Sequence, residues 1–276
     1  MPANKLLDVW LKHQWARHHA DALKADFDRW REAQTPRLTA WTLTQKFDAE
    51  RQCIVVSLGS VELPASWMLL LGDVVSNFRA CLNYLAWDLV RAGTEPKPRD
   101  RGRVKFPIVT TNRDRFAVAN NICLPGVRPE HVAIIERYQP YHVAREVLMV
   151  LGPASPPIAG PPSHPLAVLQ TLSNDDKHHN PQRTFPQCVG ELSFNIDCVD
   201  FVSDCLEPAQ PFPAVFRAGA EIATAYGRVT GPNPQAKVAL KGSIAIAIEP
   251  GLWLFDAIDG IAATVAKLIG EIESIL

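Results

Sequence analysis

Apolar residues recur along this chain at two different periods, and the changes of period mark out its elements. From Asn4 to Ala33, Leu6, Leu7, Trp10, Leu11, Trp15, Ala22, Leu23, Phe27 and Trp30 follow one another at helical spacings, which puts an apolar stripe on one side of a helix. Asn4 suits its N-cap, and Thr35-Pro36 its end. Arg37–Phe47 then alternates, Gln52–Leu58 is apolar and β-branched, and Asp48–Arg51 lies between them. That pattern predicts a hairpin. Pro64–Arg91 returns to the helical period, with Pro64 in the first turn and Gly93 past the end.

Further along, Thr94–Arg103 is rich in proline and charge and reads as an exposed loop. Phe106–Ile108 is a short extended piece, and Thr111–Asn121 and Pro129–Tyr138 are short helices. Gly152–Pro165 holds six prolines and two glycines, the best internal linker. His164–His178 is helical, with Leu166, Leu169 and Leu172 on its apolar side and Asn180-Pro181 as its stop. Val189–Ser203, Ala214–Thr230 and Ala236–Glu249 alternate like strands, with Gly231–Pro234 as a turn, and Leu252–Leu276 is a last long helix.

Strands do not alternate regularly with helices, which argues for an α+β fold over a doubly wound one. The expected architecture is a helical bundle of three to four long helices packed with an antiparallel β-sheet. We expect a single domain over 1–276, with helices mainly from 4–34, 64–92, 164–179 and 252–276 and the sheet from 37–58 and 185–250.

Composition narrows the field. The net charge of −1 supplies no global field for nucleic acid or anionic membrane. The start of the chain lacks a signal-peptide pattern, and the most apolar stretch, Ile244–Ile269, is broken by Glu249, Pro250, Asp256 and Asp259. A cytoplasmic protein without a membrane span is expected. The six cysteines form no C-x-x-C pair and read as buried free thiols in a reducing compartment. Phosphate-loop, dinucleotide, zinc-protease and nucleophile-elbow motifs are missing, so no cofactor is indicated.

Two polar constellations stand out. In Gly72–Trp87, Leu71, Val74, Val75, Phe78, Leu82, Leu85 and Leu89 share a core arc, while Asp73, Asn77, Ala80, Tyr84 and Trp87 fall opposite. Arg79 and Asn83, four apart, share a flank. The polar side is a solvated face, a network tying helix to helix, or a site in which Arg79 binds phosphate or carboxylate. The second constellation, Ser173–Asn180, gathers Asn174, Asp175, Asp176, Lys177, His178 and His179 at a helix end. It is either a polar C-cap or an acid–base site in which Asp176 orients His178. Metal binding fits poorly, because neighbouring residues on a helix point about 100° apart.

These strings carry a resemblance. Residues 72–87 follow G-D-x-x-x-N-x-R-x-x-L-[DN]-x-L-x-W, and residues 169–178 follow L-x-x-L-x-x-x-D-K-H. Together with Phe106–Ile108 and Tyr138–Tyr141 they resemble a group of bacterial proteins, common in actinobacteria, with no established activity to carry over. The resemblance covers roughly residues 64–185. More distantly the chain is similar to HEPN-type domains, helical proteins that include metal-independent RNases. Their signature is Arg, four to six residues, then His. Arg79 matches the Arg, but Tyr84 stands where the His belongs, and a phenol with a pKa of about 10 is a poor base.

Two functions follow as expectations. One is an RNase-like or phosphate-ester hydrolase, with Arg79, His178 and Asp176 catalytic and Asp73, Asn77, Tyr84, Asn174, Lys177 and His179 binding an RNA or nucleotide. The other is a non-catalytic interaction protein, self-associating as a homodimer, in which the same polar residues are structural. The first reading requires Asp73, Asn77, Arg79 and Asp176–His178 to meet in one cluster.

Overall fold

The computed structural model describes residues 6–34, 43–59, 63–93, 102–142, 164–178, 185–209, 219–249 and 252–276. The proline-rich 152–163 stretch, most of the 94–103 loop and the predicted strand residues 37–42 and 214–218 lie outside these, as does Asn180-Pro181. The fold is α+β. The described elements are helices α1 (Leu7–Gln34), α2 (Ala65–Gly93), α3 (Arg113–Cys123), α4 (Pro129–Arg137), α5 (Pro165–His178) and α6 (Leu254–Glu273), with seven strands. Two compact units emerge, one of residues 1–23, 66–182 and 255–276, the other of residues 24–65 and 183–254.

In the helical unit, α1, α2 and α6 meet around His13. Its Nε2 lies 2.9 Å from the Ala262 carbonyl, and its ring meets Phe78 edge-on. The Cys81 thiol donates to the Val9 carbonyl, and burial pushes its pKa up to about 12. All the core positions expected on α2 are buried. So are Ile258, Ile261, Val265, Leu268, Ile269 and Ile272 of α6. On α1 the expected stripe is corrected. Leu7, Leu11 and Trp15 are exposed, and the buried line is Leu6, Val9, His13, Ala16, Ala20, Leu23 and Phe27. Leu6, Leu23 and Phe27 of the expected stripe are buried as expected, and between them the line runs through Val9, His13, Ala16 and Ala20 in place of Leu7, Leu11 and Trp15.

The strand unit holds two antiparallel sheets. Strands β1 (Leu43–Asp48), β2 (Cys53–Leu58), β4 (Phe201–Pro208) and β5 (Glu221–Val229) form one in the order β1-β2-β5-β4. Strands β3 (Phe185–Val199), β6 (Gln235–Glu249) and β7 (Leu252–Trp253) form the other in the order β3-β6-β7. The expected hairpin is β1–β2, registered Leu43 to Leu58 and Asp48 to Cys53. Its turn is closed by the Asp48 carboxylate, which accepts from the Glu50 and Arg51 amides.

The single strand expected over Val189–Ser203 is two strands in different sheets. The chain breaks at Asp200, where φ is 56°, a left-handed conformation that Asp tolerates better than most residues. The Asp200 carbonyl accepts from the Thr230 amide and its carboxylate from the Asn233 amide, tying the β3–β4 corner to the β5–β6 corner. Gly231 leaves room for this carboxylate, because a Cβ there would lie 2.3 Å from the Asp200 carboxyl carbon and would push the aspartate aside. The last helix starts two residues later than expected, since Leu252 and Trp253 pair with Glu249 and Ala247. No described helix is long and apolar enough to cross a membrane.

Candidate functional site

The site grows from the flank of α2 that carries Arg79 and Asn83. These two lie one helical turn apart, and the residue they hold is Phe106, at the start of the Phe106 to Val109 segment, which has no helix or strand of its own. Such a segment must find partners for its backbone polar groups elsewhere. Asn83 Oδ1 accepts from the Phe106 amide at 3.1 Å, and Arg79 Nη2 donates to the Phe106 carbonyl at 3.0 Å. Gln139 completes the clamp. Its Oε1 accepts from the Val109 amide at 2.8 Å, and its Nε2 donates to the Pro107 and Ile135 carbonyls. Gln139 is fully buried, so its amide is satisfied by backbone alone.

The clamped segment forms one wall of an open cleft of about 670 Å³. Arg79, Lys105 and Arg115 line it, with Val118, Ile122 and Cys123 of α3 and Gln170 of α5. Helix α3 is oriented by its N-cap, Asn112, whose side chain accepts from the Arg115 amide. Among the described residues none of the three cations has a carboxylate partner. Arg79 is the most enclosed of them. Its Nη1 is buried and has no hydrogen-bond partner among the described residues, and burial lowers its pKa. Burial raises the pKa of the Cys123 thiol, against the pull of Lys105 and Arg79. The arrangement therefore gathers three cations, none with a carboxylate partner among the described residues, around one open cleft.

The predicted polar cluster is divided by the structure. Asp73 is exposed, and its backbone carbonyl accepts from Asn77 Nδ2. Asn77 Oδ1 accepts from Lys12 on α1, and Lys12 also lies 5.9 Å from the centre of the Tyr84 ring. Asn77 and Tyr84 thus address α1, while Arg79 addresses the 106–109 segment. The reason is helical geometry, since Arg79 and Tyr84 are five residues apart and so about 140° apart around the axis. Tyr84 does not share the Arg79 cleft. On α5, Asn174 is exposed and accepts from Gln170, one of the cleft residues. The side chains of Asp176, Lys177 and His178, and all of His179, lie outside the described residues.

Glu136, Tyr138, Tyr141 and His142 sit in a packing network beside the cleft segment's Gln139. Tyr138 donates to Glu271 of α6, which also accepts from Arg137. Tyr141 donates to Glu136, itself paired with Arg113, and burial first, then this carboxylate, pushes the tyrosine pKa up to about 12. Among the described cysteines, Cys53, Cys81 and Cys123 are buried as expected, but Cys205 is exposed. The residues that sequence patterns missed are Lys105, Arg115, Val118, Ile122, Gln139 and Gln170. The available signal was the i,i+4 pair Val118 and Ile122, which sits off the side of α3 that buries Phe116. No protein-family model matches the chain, and no curated protein or solved structure is significantly similar to it.

Proposed function

We propose that this protein binds an anionic ligand of the phosphate class in the Arg79 cleft. The observation that carries the reading is the meeting of Arg79, Lys105 and Arg115, none paired with a carboxylate among the described residues, in one open cleft. Cations gathered without counter-charges favour an anion, and a phosphate or carboxylate group is the acceptor a guanidinium matches best. Hydrolysis of a phosphate ester asks more, namely a proton carrier. In this proposal that carrier is His178, about two turns beyond Gln170 on α5, with Asp176 as its orienting carboxylate, as in the acid–base reading of the 173–180 segment. The free described cysteines fit a reducing, cytoplasmic setting.

The test is calorimetric titration of the full chain with inorganic phosphate, nucleoside monophosphates and a short RNA. Arg79→Met is expected to weaken phosphate binding at least tenfold, a charge-assisted bond being worth about 1.5–3 kcal/mol. If phosphate binds the wild type and Arg79→Met equally well, the proposal fails. His178→Ala in a ribonuclease or phosphodiesterase assay then separates catalysis from binding.

Self-association is a second reading, supported by exposed Leu7, Leu11 and Trp15, which are 53%, 51% and 55% accessible and four residues apart on α1. An apolar helical stripe of this kind is a common contact surface. Sedimentation equilibrium is expected to show a dimer that Leu11→Glu with Trp15→Glu converts to monomer. A wild type that is monomeric at high micromolar concentration would count against it.

A further inference from the structure

We infer that the ligand of the Arg79 cleft is a phosphate monoester carrying an aliphatic chain, with its head on Arg79, Lys105 and Arg115 and its chain on Val118 and Ile122. This rests on the phosphate-binding reading and specifies its substrate class. The cleft has two chemically distinct parts. One is the cationic set of Arg79, Lys105 and Arg115, which favours a dianionic head over a neutral one. The other is built on α3, where Val118 and Ile122 lie on one side of the helix and line the cleft while remaining 55% and 53% exposed. Two branched aliphatic side chains left in water beside a charged pocket gain from being covered.

The wall is also the wrong surface for a nucleobase. Phe106, the aromatic ring of this lining, is 0% exposed, so its face is closed to stacking, and stacking on aromatic faces is what single-stranded nucleic-acid sites use. The cleft volume of about 670 Å³ is in the range of small-molecule sites and leaves room for a chain beyond the phosphate group. Ile108 and Val109, held in place by Gln139 through the Val109 amide, add to the apolar lining.

The experiment is calorimetric titration of the full chain with inorganic phosphate, ethyl phosphate and hexyl phosphate, each below its aggregation concentration. Hexyl phosphate is expected to bind about tenfold more tightly than ethyl phosphate, because an open wall covers only part of each added methylene. Val118→Asn with Ile122→Asn is expected to shrink that chain-length gain to about twofold or less. Both positions are exposed, so the variant's circular dichroism is expected to match the wild type. Equal binding of ethyl and hexyl phosphate would overturn the inference and leave phosphate binding standing. No binding of any of the three would mean that the reading beneath it had failed. Binding seen only with phosphatidate-containing vesicles would also overturn it, since it would place the chain in a bilayer instead of the cleft.

Discussion

Gln139 shows how much one side chain can do where the chain has no regular structure. It accepts from the Val109 amide and donates to the carbonyls of Pro107 and Ile135, all out of water. Removing it would strand three backbone groups, and each buried unsatisfied group costs about 1–3 kcal/mol. Gln139→Leu, close in volume but unable to hydrogen-bond, is therefore expected to destabilise the protein by about 2–4 kcal/mol in urea unfolding. Gln139→Glu should do no better, because a carboxylate would face two carbonyl oxygens. The loss should also loosen the segment that forms one cleft wall, so phosphate binding should weaken in parallel. A Gln139→Leu protein with wild-type stability would show that water or a rearranged segment satisfies these groups. Asn83 plays a smaller part of the same kind, through its one bond to the Phe106 amide.

At the scale of elements, periodicity was readable wherever burial is decided by bulky side chains. The core arc of α2 and the isoleucine-rich side of α6 were legible residue by residue. The face of α1 was not, because Ala16, Ala20 and His13 carry its buried line while Leu11 and Trp15 stay out. A hydrophobic scale ranks these residues the other way, and which of them a neighbouring element covers is a tertiary effect. The break at Asp200 was equally hidden. Nothing in an alternating run marks a left-handed residue, and its bonds to Thr230 and Asn233 join positions thirty and more residues away. The candidate site was legible in half. Arg79 and Asn83 could be placed on one flank of α2, but their partner was not each other. It was the backbone of Phe106, and no local pattern announces a segment that borrows its hydrogen bonds from three distant side chains. Lys105 and Arg115 were ordinary surface cations until the fold set them beside Arg79 in one cleft.

Across the molecule, buried titratable groups in the helical unit set opposite limits on the pH range of stability. His131 is 1% exposed, with neither ring nitrogen partnered among the described residues, and His164 is half-buried with its Nδ1 accepting from the Leu166 amide. Burial lowers the pKa of both below the ordinary imidazole value of 6.5. As pH falls through that value the unfolded chain takes up protons that the folded chain does not, so stability is lost on the acid side. Cys81 and Tyr141 act in the other direction, each pushed up to about 12 from ordinary values of 9.0 and 10.0. Above those ordinary values the unfolded chain sheds protons that the folded chain keeps, so stability is lost on the alkaline side as well. Thermal unfolding followed by circular dichroism is therefore expected to give a plateau near neutral pH, with the midpoint falling towards about pH 5 and again above about pH 9. His131→Leu replaces a ring without described partners by an apolar side chain, and the acid slope should become shallower while the alkaline slope stays. An acid slope unchanged in His131→Leu would assign the acid sensitivity to other groups and remove His131 from this account.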